Sequence, residues 1–410
     1  MSGTVERKFV VNFLRDRDAY HVPAALKNAG MLDRLVTDVY YDAVPDPAKA
    51  IFRSISDHRS DLLPPQYVEN CYGAAVLQQV DRKFVRERVD MSFLSDTLLD
   101  LQTRSRIRKR GASALLYSGY AEHSFKSMVK RGGDRFLFLF HPHYKYVLDI
   151  LNDDAEKYPQ FKGSFARDLE VRATWRHRKA DTEIALTQGL IAASGFSIRS
   201  ARHAGFSGPA ACVPYFTDFP ANRSALERRA KGEVKFLFVG QGVQRKGLHH
   251  LFEAWKGLDL PKATLTCVCS RMDSSIAQGV PSDVILKKGL SREELLAEYD
   301  SAHVFVMPSL IEGFGLVYLE AMRRGAFVIG TENTGLPDIN APESMARAVT
   351  VGDIEALRSS LNDAYRLSLQ GGVDHDAIVR FSEIYGFSEY AQRLADAIVH
   401  LSDGARRRGE

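Results

Sequence analysis

Two glutamates and two glycines in the second half of the chain form a pattern that can bind a polar ligand. Residues 308–339 read PSLIEGFGLVYLEAMRRGAFVIGTENTGLPDI, with Glu312 in a glycine turn and Glu320 eight positions later, on a helical stretch. Gly313 and Gly315 let the backbone approach a ligand, and N–H groups at a helix start are donors with a positive dipole behind them. Carboxylates accept paired hydrogen bonds from sugar hydroxyls. Two glutamates at this spacing are also common on solvated helix faces, so the pattern alone leaves that alternative open.

A second glycine turn carries adjacent basic residues. The segment FVGQGVQRKGLHHLFEAW, residues 238–255, reads as a strand, a turn and an amphipathic helix. Lys246 offers a point charge and Arg245 a forked donor beside the helix start, which suits the negative charge of a departing diphosphate. The alternative is a basic turn that only ends a strand.

The segment from Glu312 to Asp338 closely resembles the E-x7-E segment of family 4 glycosyltransferases, a retaining group with the GT-B fold. The resemblance implies that Glu312 contacts the transferred sugar and that Glu320 binds ribose hydroxyls. It implies that backbone amides of the turn hold sugar and phosphate, and these belong to Gly313, Phe314, Gly315 and Leu316.

The same resemblance extends, less specifically, over roughly residues 185–402. Similar proteins have an arginine directly after the glycine of the basic turn, whereas this chain has Gln241. Lys246 is the phosphate ligand that the resemblance implies, and the role of Arg245 stays open. Residues 286–309 resemble the loop that brackets the nucleotide base, with Lys288, Gly289 and Leu290 as its neighbours. Residues 191–206 and 212–219 resemble a serine-containing strand end and the segment before the hinge, with Asp218 at the usual aspartate.

The acceptor side is expected in the first half, where family motifs are not evident. His141, Pro142 and His143 follow the apolar run RFLFLF, and a histidine at the carboxyl end of a strand would face the cleft. A structural histidine is the alternative. After the first strand, the acceptor-side candidates are Arg15, Asp16, Arg17, Asp18 and His21. RDRDAYHV there replaces the glycine-rich acceptor loop of many family members, which indicates a diverged acceptor. We therefore expect Glu312, Lys246 and His141 to be the catalytic residues.

Alternating apolar runs and longer amphipathic stretches predict the elements that hold these residues, since this is the pattern of βα units and parallel sheets. At 410 residues, two domains are expected. We predict an α/β protein with the GT-B fold, in which two Rossmann-like domains face each other across a cleft. The predicted parts are an acceptor domain 1–218, a donor domain 219–385, a helix 386–402 crossing back to the first domain, and a disordered tail 403–410.

The resemblance implies retaining transfer of a hexose from a UDP- or GDP-sugar to a hydroxyl of a glycan or lipid-linked acceptor, in cell-surface polysaccharide or glycoconjugate synthesis. Beyond this donor substrate, no cofactor and no metal are expected. Asp16, Arg17 and Asp18 resemble the metal-binding DxD of GT-A transferases, which is a rival interpretation. Two further alternatives are a sugar-nucleotide hydrolase or epimerase, and a non-catalytic nucleotide-sugar-binding scaffold.

Composition adds limits on partners and location. The net charge is only +4, no apolar run approaches the ~20 residues of a membrane span, and the N-terminus lacks a secretory apolar segment. We expect a cytoplasmic protein that does not bind nucleic acid. Basic and apolar residues alternate over 82–110, so this region is a candidate contact with anionic lipid at the inner membrane face; a solvated surface is the alternative. Cys267 and Cys269 lie on one face of a strand, and a metal or disulfide role is not expected.

Overall fold

The computed structural model describes residues 7–84, 92–167, 174–227 and 232–409. They form two parallel sheets flanked by helices, each with its own buried core. The seven strands of the first sheet are β1 Phe9–Asn12, β2 Leu32–Thr37, β3 Val68–Asn70, β4 Ser113–Tyr117, β5 Arg135–Leu139, β6 Gly189–Ala192 and β7 Ala210–Cys212. Their order is β3-β2-β1-β4-β5-β6-β7.

The second sheet repeats this arrangement with six strands. These are β8 Val234–Gly242, β9 Ala263–Met272, β10 Val284–Lys287, β11 Val304–Val306, β12 Phe327–Thr331 and β13 Ala346–Val349. Their order, β10-β9-β8-β11-β12-β13, reverses direction beside β8 as the first sheet does beside β1. Ligands of such doubly wound sheets bind at the carboxyl ends of the strands near this switch point.

Helices cover both faces of each sheet. The helices of the first half are α1 His21–Asn28, α2 Tyr72–Phe84, α3 Ser92–Arg110, α4 Glu122–Val129, α5 Tyr144–Lys157, α6 Lys162–Ala166, α7 Thr174–Leu186 and α8 Gly195–His203. A short α9 Arg223–Leu226 lies between the sheets. The helices of the second half are α10 Leu248–Lys256, α11 Ser274–Ala277, α12 Arg292–Ser301, α13 Leu316–Arg323, α14 Ile354–Leu369, α15 His375–Ser382 and α16 Phe387–Gly409.

The final helix α16 returns to the first half, which confirms the predicted crossover. The rings of Phe387 and Tyr390 lie 5.5 and 5.3 Å from the ring of Phe216, and Ser402 donates to Asp134 at 3.0 Å. The helix continues to Gly409, through most of the segment for which a disordered tail was predicted. Alanine and arginine in that segment are good helix formers, so an existing helix extends through them at little cost.

Apolar runs of the sequence predict eleven of the thirteen strands in the described residues, and they miss β3 and β7. Each of these two has only three residues and lies at a sheet edge, so it shows no clear alternation. The run LVTDVYY predicts a strand over 35–41, whereas the structure has β2 at Leu32–Thr37. Tyr40 leaves the ladder, because its N–H donates to the side chain of Asn70 at 2.8 Å. The predicted domain boundary at 218 falls in the connection between the two sheets and stays a prediction.

In the basic region 82–110, some arginines form ion pairs with acidic residues of the same chain. Arg106 lies 3.5 Å from Asp33 and 3.6 Å from Glu69, and Arg110 lies 3.8 Å from Asp33. Arg86 and Arg88 of this prediction lie outside the described residues. In the described ranges, no helix has the length and apolar character needed to cross a bilayer. The lipid contact and the cytoplasmic location stay predictions.

Candidate active site

Two glycines allow the loops that carry the charged residues to meet. Gly247 precedes α10 with φ +66°, and a Cβ there would overlap the carbonyl of Pro308. Gly315 precedes α13 with φ +89°. The contact is fixed by a hydrogen bond from Leu310 N–H to the carbonyl of Arg245 at 2.9 Å. The loops after β8 and β11 are therefore held together at the strand ends of the second sheet.

This contact brings the predicted donor residues into one charged cluster. Lys246 Nζ donates a hydrogen bond to Glu312 Oε2, and a guanidinium nitrogen of Arg245 lies 3.8 Å from the same oxygen. Burial alone would raise the pKa of Glu312, but Lys246 and Arg245 outweigh it and lower this pKa to about 2. Burial lowers the pKa of Lys246, which Glu312 opposes. Glu312 is thus an anion at neutral pH.

A cavity of about 470 Å³ lies beside this cluster and is lined by some of the predicted donor residues, but not by Glu312 or the turn Gly313, Phe314, Gly315 and Leu316. Gln241, Arg245, Lys246, Gly289 and Leu290 all line it. Its remaining walls are largely apolar, from the ends of β8, β9 and β11 and from α12 and α13. We call it the donor cavity; its basic end and apolar walls suit an anion attached to a planar ring.

Gln241 occupies the position where similar proteins have arginine, and its side chain contacts an arginine of the neighbouring strand. Its side-chain oxygen accepts hydrogen bonds from Arg271 on β9, at 3.3 Å from Nε and 3.1 Å from an Nη atom. A guanidinium therefore lies beside this turn, contributed by the neighbouring strand. No local pattern of residues indicates this contact, because the two residues are thirty positions apart.

Glu320 lies apart from Glu312, on α13. Tyr299 donates its hydroxyl to Glu320 Oε2 at 2.9 Å. Burial and the nearby charge of Asp218 raise the pKa of Glu320. Neither Glu320 nor Glu312 is among the described residues that line the donor cavity. The two glutamates differ in their partners, Lys246 for Glu312 and Tyr299 for Glu320, and their roles stay predictions.

The first half holds the Glu312 loop directly. Ser194, at the start of α8, donates to the carbonyl of Gly313 at 2.5 Å, and the hydroxyl of Ser197 lies 3.3 Å from the same oxygen. A Cβ on Gly313 would clash with the carbonyl of Phe140, at the end of β5. The N–H of Gly195 donates to Asp338 at 2.9 Å. The serine-containing strand end is therefore a support for the donor loop.

His141 lies where the two halves meet, close to Glu312, and adds to the lowering of the pKa of that carboxyl after Lys246 and Arg245. It lines a second cavity, of about 380 Å³, bounded by loops after β1, β4 and β5 and by α3 and α7. We call it the acceptor cavity. His143, which was predicted together with His141, also lines it and is buried, and burial lowers its pKa to about 4.

The loop Arg15–Tyr20 does not have the arrangement of a DxD metal site. Asp18 is half-buried and accepts hydrogen bonds from the hydroxyls of Tyr117 at 3.0 Å and Tyr215 at 2.7 Å. Among the described residues, neither Asp16 nor Asp18 belongs to a cluster of three potential metal ligands. The carboxylate of Asp18 accepts hydrogen bonds from tyrosine hydroxyls instead. The structure therefore does not favour a metal-binding DxD motif at this loop.

Sequence reasoning missed a buried cluster between the halves. Asp154 on α5 lies 3.1 Å from Nε2 of His249 and 2.8 Å from Nε2 of His250, and Gln244 donates to it at 2.6 Å. Burial would raise the pKa of Asp154, but both histidines outweigh this effect and lower it. The pair His249–His250 after the basic turn was the available signal. The cluster links α5 to the turn that carries Lys246.

Comparison with known proteins finds a matching family model for part of the chain. Residues 221–369 match the family model of glycosyl transferases group 1. The chain is 33% identical over 143 residues to MMP alpha-(1->4)-mannosyltransferase of Mycolicibacterium hassiacum, which covers 33% of this chain and 34% of that protein. It is 32% identical over 138 residues to the GDP-mannose-dependent alpha-(1-6)-phosphatidylinositol monomannoside mannosyltransferase of Mycolicibacterium smegmatis, covering 30% and 36%. The matches thus span little more than a third of these relatives.

Solved structures match over almost the whole chain. The lipopolysaccharide outer core galactosyltransferase WaaB superposes with a TM-score of 0.58 at 15% identity, covering 96% of this chain and 99% of that one. The N-terminal domain of Candida albicans trehalose-6-phosphate phosphatase gives a TM-score of 0.64 at 12% identity, covering 98% of both chains. At such identities the likeness concerns the fold. The whole chain thus has the GT-B fold, and its residues 221–369 match the family of glycosyl transferases group 1.

Proposed function

We propose that the protein is a retaining glycosyltransferase that moves a hexose from a nucleoside diphosphate sugar to an acceptor hydroxyl. The observation that carries this proposal is the buried contact of Lys246 and Arg245 with Glu312, beside the donor cavity. One end of the cluster offers cations for a diphosphate and the other offers a carboxylate for sugar hydroxyls.

In the proposed mechanism, the protein stabilises charge rather than forming a bond to the sugar. Lys246, Arg245 and the N–H groups at the start of α13 offset the charge that develops on the departing diphosphate. Glu312 accepts hydrogen bonds from the transferred sugar and orients it, and Glu320 accepts them from the ribose. A donor phosphate oxygen takes the proton of the attacking hydroxyl. No metal takes part in this proposal.

The relatives support mannose as the first sugar to test. Two of them are named as mannosyltransferases, and one of these names specifies GDP-mannose. The proposed acceptor is a glycan or lipid-linked molecule of cell-surface polysaccharide or glycoconjugate synthesis. The amylovoran biosynthesis glycosyltransferase AmsK of Erwinia amylovora, 29% identical over 176 residues, supports that setting.

The test is a screen of GDP-, UDP- and ADP-sugars for thermal stabilisation, since a ligand that binds only the native state raises its stability with occupancy. The donor that stabilises the chain is then incubated with candidate acceptors, and NMR of the product reports the anomeric configuration. We expect retention, activity that survives EDTA, and loss of donor turnover in Glu312→Gln. Inverted product or full turnover in Glu312→Gln would overturn the proposal. Release of free sugar with every acceptor would indicate a hydrolase instead.

A further inference from the structure

The acceptor cavity is lined by three arginines, which is an unusual concentration for a pocket of about 380 Å³. Arg15 and Arg17 come from the loop after β1, and Arg176 comes from α7. Arg176 is far from Arg15 and Arg17 in the sequence, and the fold brings it next to them. The cavity therefore concentrates positive charge beside His141, at the junction with the donor loop.

Arg17 is held in place by an aromatic ring rather than by a carboxylate. Its guanidinium lies 3.9 Å from the centre of the Phe140 ring, and its buried Nε has no hydrogen-bond partner. The adjacent acid Asp18 accepts two tyrosine hydroxyls and does not line the cavity. A stacked guanidinium keeps its edge donors available for an incoming anion.

The other two arginines have neutral partners. Arg176 lies over the ring of Trp175 at 5.0 Å and 3.5 Å from the hydroxyl of Ser92, and its buried Nε has no hydrogen-bond partner. Arg15 donates from Nε to the side chain of Gln78 at 3.4 Å. These contacts orient both guanidinium groups without neutralising them.

Asp18 is close enough to Arg17 to raise its pKa, but among the described residues the three arginines have no ion pair. In the part of the chain that the structure describes, no carboxylate lies within ion-pair distance of Arg15, Arg17 or Arg176. Asp96 is the acid among the described lining residues, against three arginines. Arg17 and Arg176 are half-buried, whereas Arg15 is exposed. A half-buried cation without an ion-pair partner is costly, and a ligand anion would supply the opposite charge.

We propose, on the basis of the proposed function, that the acceptor carries a phosphate ester that binds to Arg15, Arg17 and Arg176. A phosphate offers several strong acceptor oxygens, and guanidinium forks bind such oxygens in pairs. The cavity volume admits a molecule about the size of a phosphorylated monosaccharide or a lipid headgroup. With the phosphate at the arginines, the rest of the acceptor lies toward His141 and the Gly313 loop, where a hydroxyl can reach the donor sugar.

Binding is measured first, without any donor. Inorganic phosphate, glucose 6-phosphate and glucose are titrated into the full-length protein by calorimetry. We expect glucose 6-phosphate and phosphate to bind and glucose not to, and Arg176→Gln to weaken phosphate-ester binding roughly tenfold. The matched control is Arg178→Gln, an exposed arginine two positions along α7 that does not line the cavity. Equal binding by wild type and Arg176→Gln, or no binding of any phosphate, overturns the proposal. Arg15→Gln repeats the test on another loop in case Arg176→Gln does not fold.

Transfer assays separate the two sources of the phosphate and keep this proposal distinct from the proposed function. Sugar phosphates in solution are compared with vesicles of phosphatidylinositol in phosphatidylcholine. Transfer to either one that falls at least tenfold in Arg176→Gln supports the proposal and identifies the source. Undiminished transfer to a neutral glycan in Arg176→Gln overturns it while the glycosyltransferase assignment stands. Conversely, phosphate binding without any donor binding or turnover would leave the arginine site and remove the proposed function.

Discussion

The donor cavity and the acceptor cavity treat charge in opposite ways. At the donor cavity, Lys246 and Arg245 lie against the carboxylate of Glu312. At the acceptor cavity, arginines stack on rings or bond to neutral groups. The first site therefore holds its charges in pairs without a ligand, whereas the second relies on a ligand to balance them.

This difference has a physical consequence for binding. A donor must exchange an existing contact of Lys246 with Glu312 for contacts with diphosphate and sugar, so each new interaction replaces an old one. An anion entering the acceptor cavity meets guanidinium groups that have no opposing carboxylate, so it gains their attraction without breaking an ion pair. The comparison predicts that charge removal acts mainly on the rate at the donor site and on binding at the acceptor site.

The largest effect is expected from Lys246→Ala. Removing this ammonium takes away charge stabilisation of the departing diphosphate, and one such group contributes roughly 10²- to 10³-fold in kcat. It also removes the main cation that lowers the pKa of Glu312, so that pKa rises and residual activity shifts to higher pH. Steady-state kinetics over pH 5 to 9 measure both effects.

Lys256→Ala provides the control for this experiment. Lys256 is exposed at the end of the same helix and pairs with Glu253 at 3.0 Å, away from the donor cavity. We expect its kcat to equal that of wild type. A change of less than threefold in Lys246→Ala would contradict the role of the paired cluster and erase the contrast between the two cavities.

The next effect concerns the contact between the two cavities. In Gly313→Ala the new methyl group would clash with the carbonyl of Phe140, so the donor loop and the end of β5 must move apart. Misplacement of reacting groups by about 1 Å costs up to roughly a hundredfold in rate, and we expect a tenfold to hundredfold loss of kcat. Gly404→Ala is the control, because a Cβ there meets no atom within 4 Å. Equal rates for both variants would show that the loop contact is not needed.

The two cavities also differ in what the sequence could predict. The donor residues lie in two contiguous segments, in which glycines, charges and helix starts occur at fixed spacing, and their positions relative to the sheet follow from βα order. The acceptor residues Arg17 and Arg176 come from distant segments, and no local pattern relates them. Partial burial of Asp18 beneath two tyrosines and the pairing of Gln241 with Arg271 likewise depend on tertiary contacts.

The strands and helices show the same difference between what local patterns predict and what depends on tertiary contacts. Long buried strands such as RFLFLF and VKFLFVG were located from their apolar runs, whereas the three-residue edge strands β3 and β7 were not. The end of α16 was wrongly placed at residue 402, because the composition of the last residues is typical both of a polar tail and of a final helical turn. Local patterns thus predicted core elements and missed elements that depend on neighbours.

Acid pH is expected to destabilise the folded protein because two histidines in the first half of the chain are buried. Burial lowers the pKa of His21 and of His143 to about 4, from 6.5. The unfolded chain therefore binds protons between about pH 6.5 and 4 that the folded chain does not, so stability falls as pH decreases through this range. From pH 7 to 5 each histidine should cost about 2 kcal/mol. Thermal unfolding of His21→Gln should show a smaller pH dependence than wild type, while exposed His400→Gln should match wild type; identical slopes for both variants would contradict this assignment.

The smallest effect is expected from Ser194→Ala, which tests how the acceptor half supports the donor loop. Ser194 caps α8 by accepting from Ser197 N–H at 3.1 Å and also donates to the carbonyl of Gly313. Its loss should cost about 1 kcal/mol of stability. Asp353→Ala is the matched control, because Asp353 caps α14 in the same way, through Ala356 N–H at 2.8 Å, and is exposed.

Both capping variants should lower the melting temperature by a similar amount, but only Ser194→Ala should raise the KM for the donor, by roughly two- to fivefold for a lost hydrogen bond of about 1 kcal/mol. The reason is that the Gly313 loop loses its support from α8, while the loops of the donor cavity remain in place in Asp353→Ala. If both variants keep the wild-type KM, the serine only caps its helix, and the donor loop is positioned by the second half alone.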